Sequence, residues 1–473
     1  MPTAPVAART TEPQPHRVSS YIRSIIPKWQ VSGVTVNRLA LIFILTLLWN
    51  LITAADGVVS TQFQYDIALA ISLIAYPTIV VIIAISLRTP PPGWLMHLKT
   101  KRLVQLMPAL VVAIAIAMLA QVPALTSPKA PVGNDITSSI ICASRNVLHG
   151  HDPYLESDIA CLESLHAPVA LGTVLQRGAF VHQLRPPTKA QVNRVVAQSA
   201  PNHYRNPAFA TFGYLPMSFV EMLPAALGNN QAWVTYTLIA GILLLLFAGL
   251  AAGELWPAMV LALLVQVGDG GLFVSALTAD GEFFAYGLLV LALCWVDRPK
   301  ISGVLMGVAM ASHPLAWVVW FGCAIFTKNK PHFRQRMLYS LGTAAVLIVP
   351  WLIVEPHALT AIVTLVLQPT YPAGPGIITL FGVAPPAILR HVLLAVIVGG
   401  FAGLCVFAWR RQSWLALLPV VGLSFMWLGW RSNISYLAEL FPLAAAMAIG
   451  LYRYNARESR DSNEMPTPAN TDG

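Results

Sequence analysis

The chain has 473 residues, 56% of them hydrophobic and only 10% charged, with a formal net charge of +9. A soluble domain carries about a quarter charged residues and has no means of hiding so much apolar surface, which excludes a soluble globular enzyme and predicts an all-α polytopic membrane protein. The basic residues fall in short connectors and in both tails rather than on one face, which points to anionic membrane lipid as their partner and away from nucleic acid.

Residues 1–37 are rich in Pro, Ala and Thr and carry Arg9, Arg17, Arg23 and Lys28. They read as a cytoplasmic tail with an interfacial stretch around residues 21–29 and lack the pattern of a cleaved signal peptide. Apolar runs at about 38–55, 66–87 and 103–124 predict three spans in an N-terminal transmembrane region, 38–124. The connector holding Arg88, Lys99, Lys101 and Arg102 belongs inside. The connector from Asp56 to Asp66 has no Lys or Arg and belongs outside. The third span then delivers the polar segment 125–207 to the outer face.

Within that segment Ile136, Ile140, Ile141, Val147 and Leu148 recur at helical spacing between Asp135 and His149, and Gly150 closes the run. A second surface helix is predicted over 188–198, bounded by Pro186-Pro187 and Pro201. Cys142 and Cys161 both lie here, where an oxidising compartment makes a disulfide available to them, although spacing alone does not decide it. Cys294, Cys323 and Cys405 lie in apolar runs and read as packing residues.

The transmembrane core is read as 208–452. Its first run holds Phe212-Gly213-Tyr214-Leu215-Pro216 and Pro224 and is expected to be kinked; a run at 231–250 follows. From 255 to 296 the pattern is broken by Gly268-Asp269-Gly270-Gly271 and by Asp280-Gly281-Glu282, which suggests half-spanning pieces. The run 301–326 is interrupted at His313-Pro314, and the basic connector 328–336 belongs inside. Spans at about 337–354, 391–409, 414–430 and 434–452 leave an outer loop, 355–390, and Arg431 outside; residues 453–473 form a second cytoplasmic tail. The total is about 11–13 transmembrane or half-spanning helices.

A carboxylate at the outer membrane boundary is well placed to act as a general base, since a partly apolar setting raises its pKa. Asp135 fits, although position alone favours a helix cap. Asp152 before Pro153 reads first as a turn, and Tyr154 follows it. Asp280 and Glu282 are boundary charges or cavity-facing groups, and ionisable residues at membrane depth lean functional. Arg431 sits on the side that positive-inside statistics disfavour, and its guanidinium suits a phosphate. Arg145, Arg177, Arg185, Lys189, Arg194, Arg205, His182 and His203 make the outer segment unusually basic. No Walker loop, dinucleotide fingerprint, zinc spacing or Gly-x-Ser-x-Gly elbow occurs.

Taken in order, Asn134-Asp135, Gly150-His151-Asp152-Pro153-Tyr154, Phe212-Gly213-Tyr214-Leu215-Pro216 with Pro224, His313-Pro314, and Tyr436, Leu437, Leu440 and Pro442 resemble the GT-C glycosyltransferases. The branch they resemble uses polyprenyl-phosphate-mannose. The likeness covers roughly 130–450; it departs from the family in having two additional leading spans and His in place of Lys at 313. It implies an integral protein of a bacterial inner membrane, termini cytoplasmic and active site outside. Its reaction would be inverting transfer of mannose or another sugar from a polyprenyl-phosphate donor to a lipid or glycan acceptor. The motif order moves Asp135 from cap to base. Arg431, His313 and Arg205 are nominated for the donor phosphate on electrostatic grounds, with Asp152, Tyr154, Tyr214, Asp280 and Glu282 as further substrate contacts. No cofactor is firmly implied, and a divalent cation stays open. A transporter or flippase of lipid-linked sugars, or a non-catalytic envelope-assembly protein, are the alternatives.

Overall fold

A computed structural model describes residues 33–59, 100–120, 135–156, 158–165, 212–228, 230–264, 282–327, 332–367 and 434–464, with scattered residues of 74–83, 188–194 and 392–410. Among the described residues the protein is all-helical, with no strand. The helices are α1 (Gly33–Val59), α2 (Thr100–Leu119), α3 (Asp135–Leu148), α4 (Ile159–Ser164), α5 (Pro216–Ala226), α6 (Asn230–Ala252), α7 (Trp256–Leu264), α8 (Glu282–Cys294), α9 (Pro299–Ser312), α10 (Pro314–Thr327), α11 (Phe333–Val354), α12 (His357–Leu367) and α13 (Ile434–Glu464).

Two helical segments, Ala232–Leu264 and Phe333–Val354, are long and apolar enough to cross a membrane. The first comprises α6 and α7, turned at Gly253, where φ is +63°. The predicted runs 66–87, 391–409 and 414–430 lie largely outside the described residues, so the count of about 11–13 segments is not reproduced among them. Each of the two long helices exposes an apolar face. Ile239, Ile242, Leu243, Leu246, Phe247 and Leu250 form one exposed stripe on α6, and Leu338, Leu341, Val349 and Ile353 form one on α11. Spacing of three and four puts each set on a single helix face. A soluble helix turns polar side chains to that position.

The main core joins α1, α6, α7, α8, α9, α10, α11 and α13 around Phe283, Met310, Trp320 and Phe441. In α13 every residue from Phe441 to Gly450 is buried, and the helix continues past the predicted end at Tyr452 to Glu464. The tail expected to begin at Arg453 therefore starts as bundle. The closest helix pair is α9 with α11. A Cβ on Gly303 would come within 2.8 Å of the Arg336 carbonyl oxygen, and one on Gly307 within 2.5 Å of the Ser340 carbonyl oxygen. Two glycines four residues apart thus let the backbones touch, an arrangement favoured between helices in lipid, where no hydrophobic force drives association.

A smaller core unites α3, α4, α5, Trp233 of α6 and Ala358 of α12. It is built from the predicted outer segment together with the kinked run after it. Helix α5 starts with Pro216 in its first turn and tolerates Pro224 inside. α5 also touches α9 and α11, and so links the two cores.

Gly307→Leu is expected to destabilise the protein by about 2 kcal/mol or more through overpacking at α9–α11, read as a lowered unfolding midpoint in micelles, whereas Gly342→Leu, with open space at its Cβ, should leave the midpoint nearly unchanged.

Candidate functional site

α3 starts at Asp135 and is buried from Ile136 to Ser144. Three consecutive hydroxyl residues, Thr137, Ser138 and Ser139, are fully buried in it, which a helix tolerates only if the hydroxyls are hydrogen-bonded. Ser139 donates to Asp158 Oδ2 at 2.8 Å, and Ser144 donates to the carbonyls of Ile140 and of Phe219, both at 2.8 Å. The second of these bonds fixes α3 to α5. Cys142 and Cys161 are joined in a disulfide, which ties α3 to α4.

The end of α3 follows the sequence expectation. Gly150 takes a left-handed conformation at φ +75°, its N–H donates to the Val147 carbonyl at 3.0 Å, and the His151 N–H donates to the Asn146 carbonyl at 2.8 Å. Asp152 then makes the turn that its position before Pro153 suggested: the Tyr154 N–H donates to Asp152 Oδ1 at 2.8 Å. This turn aims the Tyr154 ring into the smaller core. Its hydroxyl donates to the Tyr214 carbonyl at 3.0 Å. Its ring meets Phe212 at 5.6 Å and Phe219 at 6.1 Å, and Phe219 meets Trp351 of α11 edge-on at 5.0 Å. Two motifs sixty residues apart, Gly150–Tyr154 and Phe212–Pro216, are thereby one unit.

The C-terminal end of α11 brings Glu355 to this turn, a residue that sequence reasoning placed only at the edge of a predicted outer loop. Burial, and next the Glu355 carboxyl, push the Asp152 carboxyl up to about 6, while the Tyr154 backbone bond and His357 pull it down. Burial likewise raises the Tyr154 phenol. The signal for this cluster in the sequence is Glu355-Pro356-His357 between two apolar runs, a short polar break with two titratable groups. Asp158 is fully buried, and its carboxyl is pushed up to about 8, chiefly by burial, with the Ser139 bond opposing.

His313 is extended and separates α9 from α10, as the His-Pro pair predicted, and its ring faces Tyr286 at 5.7 Å. The adjacent Ser312 hydroxyl donates to Glu221 Oε1 of α5 at 2.5 Å. Glu221 was not singled out from the sequence. Its Oε2 is buried with no hydrogen-bond partner. Through α5, the His313 break and the end of α3 belong to one continuous assembly. Arg145, one of the outer basic residues, lies over the Trp233 ring at 4.8 Å.

Arg205, Asp280 and Arg431 lie outside the described residues. Of Asp135 and Glu282 the helical backbone is described and the side chains are not. The structure therefore joins Asp152, Tyr154 and Tyr214 directly and sets His313 beside the same α5. Among the described residues no group of three or more His, Cys, Asp or Glu is disposed to hold a metal ion. Compared with known proteins, the chain matches no family model, no curated protein and no solved structure.

Two outcomes follow for the outer unit. The Asp158 carboxyl binds its proton more tightly folded than unfolded, so the stability it contributes is fully present below the unfolded pKa near 4 and is lost as pH rises through about 8. Asp158→Asn should flatten that slope and raise the unfolding midpoint at pH 8 relative to wild type. Replacing Cys142 or Cys161 by Ser should cost about 3 kcal/mol from the released loop, read as an unfolding midpoint that dithiothreitol lowers in wild type and no longer alters in the variant.

Proposed function

We propose that this protein is an inverting glycosyltransferase of the GT-C type, embedded in a bacterial inner membrane by a polytopic helical fold. It moves a sugar from a polyprenyl-phosphate donor to a lipid or glycan acceptor at the outer face. The observation that supports this reading most is the contact of Tyr154 with Tyr214, which unites the two polar motifs on which the resemblance rests. The exposed apolar stripes of α6 and α11 support the membrane setting.

In this mechanism Asp135, the residue that opens α3, takes the proton of the acceptor hydroxyl as that oxygen attacks the anomeric carbon. The bond to the polyprenyl phosphate breaks on the opposite face and the phosphate carries away the electron pair. Such a leaving group is already weakly basic, so it needs charge stabilisation rather than a general acid, and His313, Arg431 and Arg205 are the proposed donors of that stabilisation. The Ser144–Phe219 bond and the aromatic cluster hold the end of α3 against α5, and the disulfide holds α3 to α4, the fixed setting that positioning a base requires.

A second reading, transport of lipid-linked sugar, draws on one observation: Glu221 is held by Ser312 at a helix break, and breaks with ionisable groups suit ion or substrate passage.

The deciding assay is transfer of radiolabelled sugar from polyprenyl-phosphate donors by the purified protein in lipid. Asp135→Asn should lower turnover by about 10²-fold or more with an unaltered unfolding midpoint. Full activity in that variant would remove Asp135 as base, and absence of transfer by wild type with mannose, arabinose and glucose donors would favour the transport reading, tested by a flipping assay.

A further inference from the structure

A second group of charged side chains lies at the opposite end of the bundle from Asp152. It is formed by the last turn of α6, the turn after α8, the first turn of α11 and the C-terminal half of α13. Arg453 of α13 donates to the Ala251 carbonyl and pairs with Asp297 at 3.4 Å. Arg336 of α11 donates through Nη2 to the Val296 carbonyl. Arginines on the free carbonyls of helix ends are an ordinary cap, and that accounts fully for the Ala251 and Val296 bonds.

It does not account for the rest of Arg336. This side chain is 4% exposed, and its Nε and Nη1 are buried with no hydrogen-bond partner. Arg336 lies within electrostatic reach of Asp297 and Tyr454, yet Asp297 is already paired to Arg453. Among the described residues Asp297 thus faces two guanidinium groups, and its printed ion pair goes to Arg453. A guanidinium has five N–H donors and never gives up its proton, so the charge cannot be relieved by titration. A buried cation without a counter-charge costs several kcal/mol. The arginine-rich edge is also positive outside: Arg298, Lys300 and Arg334 are exposed around it, and their combined field concentrates anions there. Asp297 and Arg453 are each 11% exposed, so the group reaches the surface at this edge.

We propose that this cluster is a binding site for a phosphate-type oxyanion, whose oxygens accept hydrogen bonds from Nε and Nη1 of Arg336. Such an anion supplies the acceptors that Nε and Nη1 lack and a negative charge beside the guanidinium, and arginine is the side chain best suited to it. A free phosphate and the phosphodiester headgroup of an anionic lipid share this chemistry. The site is independent of the glycosyl-transfer reading: it lies at the N-terminal end of α11, at the opposite end of that helix from Glu355 and Asp152.

The test uses the full-length protein in an uncharged detergent and follows unfolding by the fluorescence of its 13 tryptophans. Inorganic phosphate is titrated against chloride at constant ionic strength. In parallel, nanodiscs of phosphatidylcholine are compared with discs in which phosphatidylglycerol replaces part of it. The expected result is a rise of at least about 2 °C in the midpoint of wild type and of Arg334→Ala, lost in Arg336→Met. Stabilisation by phosphate identifies a free anion, and stabilisation by phosphatidylglycerol alone identifies the headgroup. An equal shift in wild type and Arg336→Met, or no shift with either probe, overturns the proposal. Should Arg336→Met fail to fold, native mass spectrometry of wild type decides. Retention of phosphate or phosphatidylglycerol in stoichiometric amount supports the site, and retention of neither overturns it.

Discussion

The aromatic cluster of Tyr154, Phe212 and Phe219, carried on to Trp351 through Phe219, is the contact on which the rest depends: it joins the end of α3 and α5 to α11. Phe219 is buried between Tyr154 and the end of α11, so α5 cannot shift without moving both. Aromatic pairs of this kind contribute about 0.5–1.5 kcal/mol each beyond the area they bury. They also impose geometry, because rings meeting edge to face have few alternative arrangements. The Ser144–Phe219 and Tyr154–Tyr214 hydrogen bonds add direction to that contact. Neither has a solvent alternative inside the core, so each would be costly to break.

The polar content of the protein is spent unevenly. In the main bundle the helices approach through glycine and alanine, and Arg336 and Arg453 cap helix-end carbonyls at the edge away from Asp152. In the outer unit, buried hydroxyls and carboxyls are frequent: Thr137, Ser138, Ser139 and Asp158 are all fully buried within a short stretch of chain. Burying such groups has no packing advantage over apolar residues. Their value is specificity, since a satisfied hydrogen bond fixes one register where an apolar contact would allow several.

Two carboxyls that no motif marks, Glu355 and Glu221, show how the site extends beyond its motifs. Glu355 ends α11 and shapes the environment of Asp152. Glu221 lies in an apolar helix whose pattern offers no warning of a partly buried acid, and it finds its partner, Ser312, ninety-one residues away.

From the residues alone, the helical class, the apolar character, the helix from Asp135 to the Gly150 stop, the turn at Asp152-Pro153 and the break at His313-Pro314 were all legible. Each of these is decided locally: apolar spacing selects a helix, a glycine permits a positive φ, and a proline after an extended residue interrupts the ladder. The Cys142–Cys161 disulfide, the Tyr154–Tyr214 bond, the Glu221–Ser312 pair and the Arg336–Asp297–Arg453 cluster were decided only by tertiary structure. Every one of them joins residues on different elements, and nothing in local spacing encodes which helix faces which. The same holds for the end of α13: the polar sequence after Tyr452 reads as a tail, yet Arg453 is held in the bundle by a carbonyl of α6 and a carboxylate from the turn after α8.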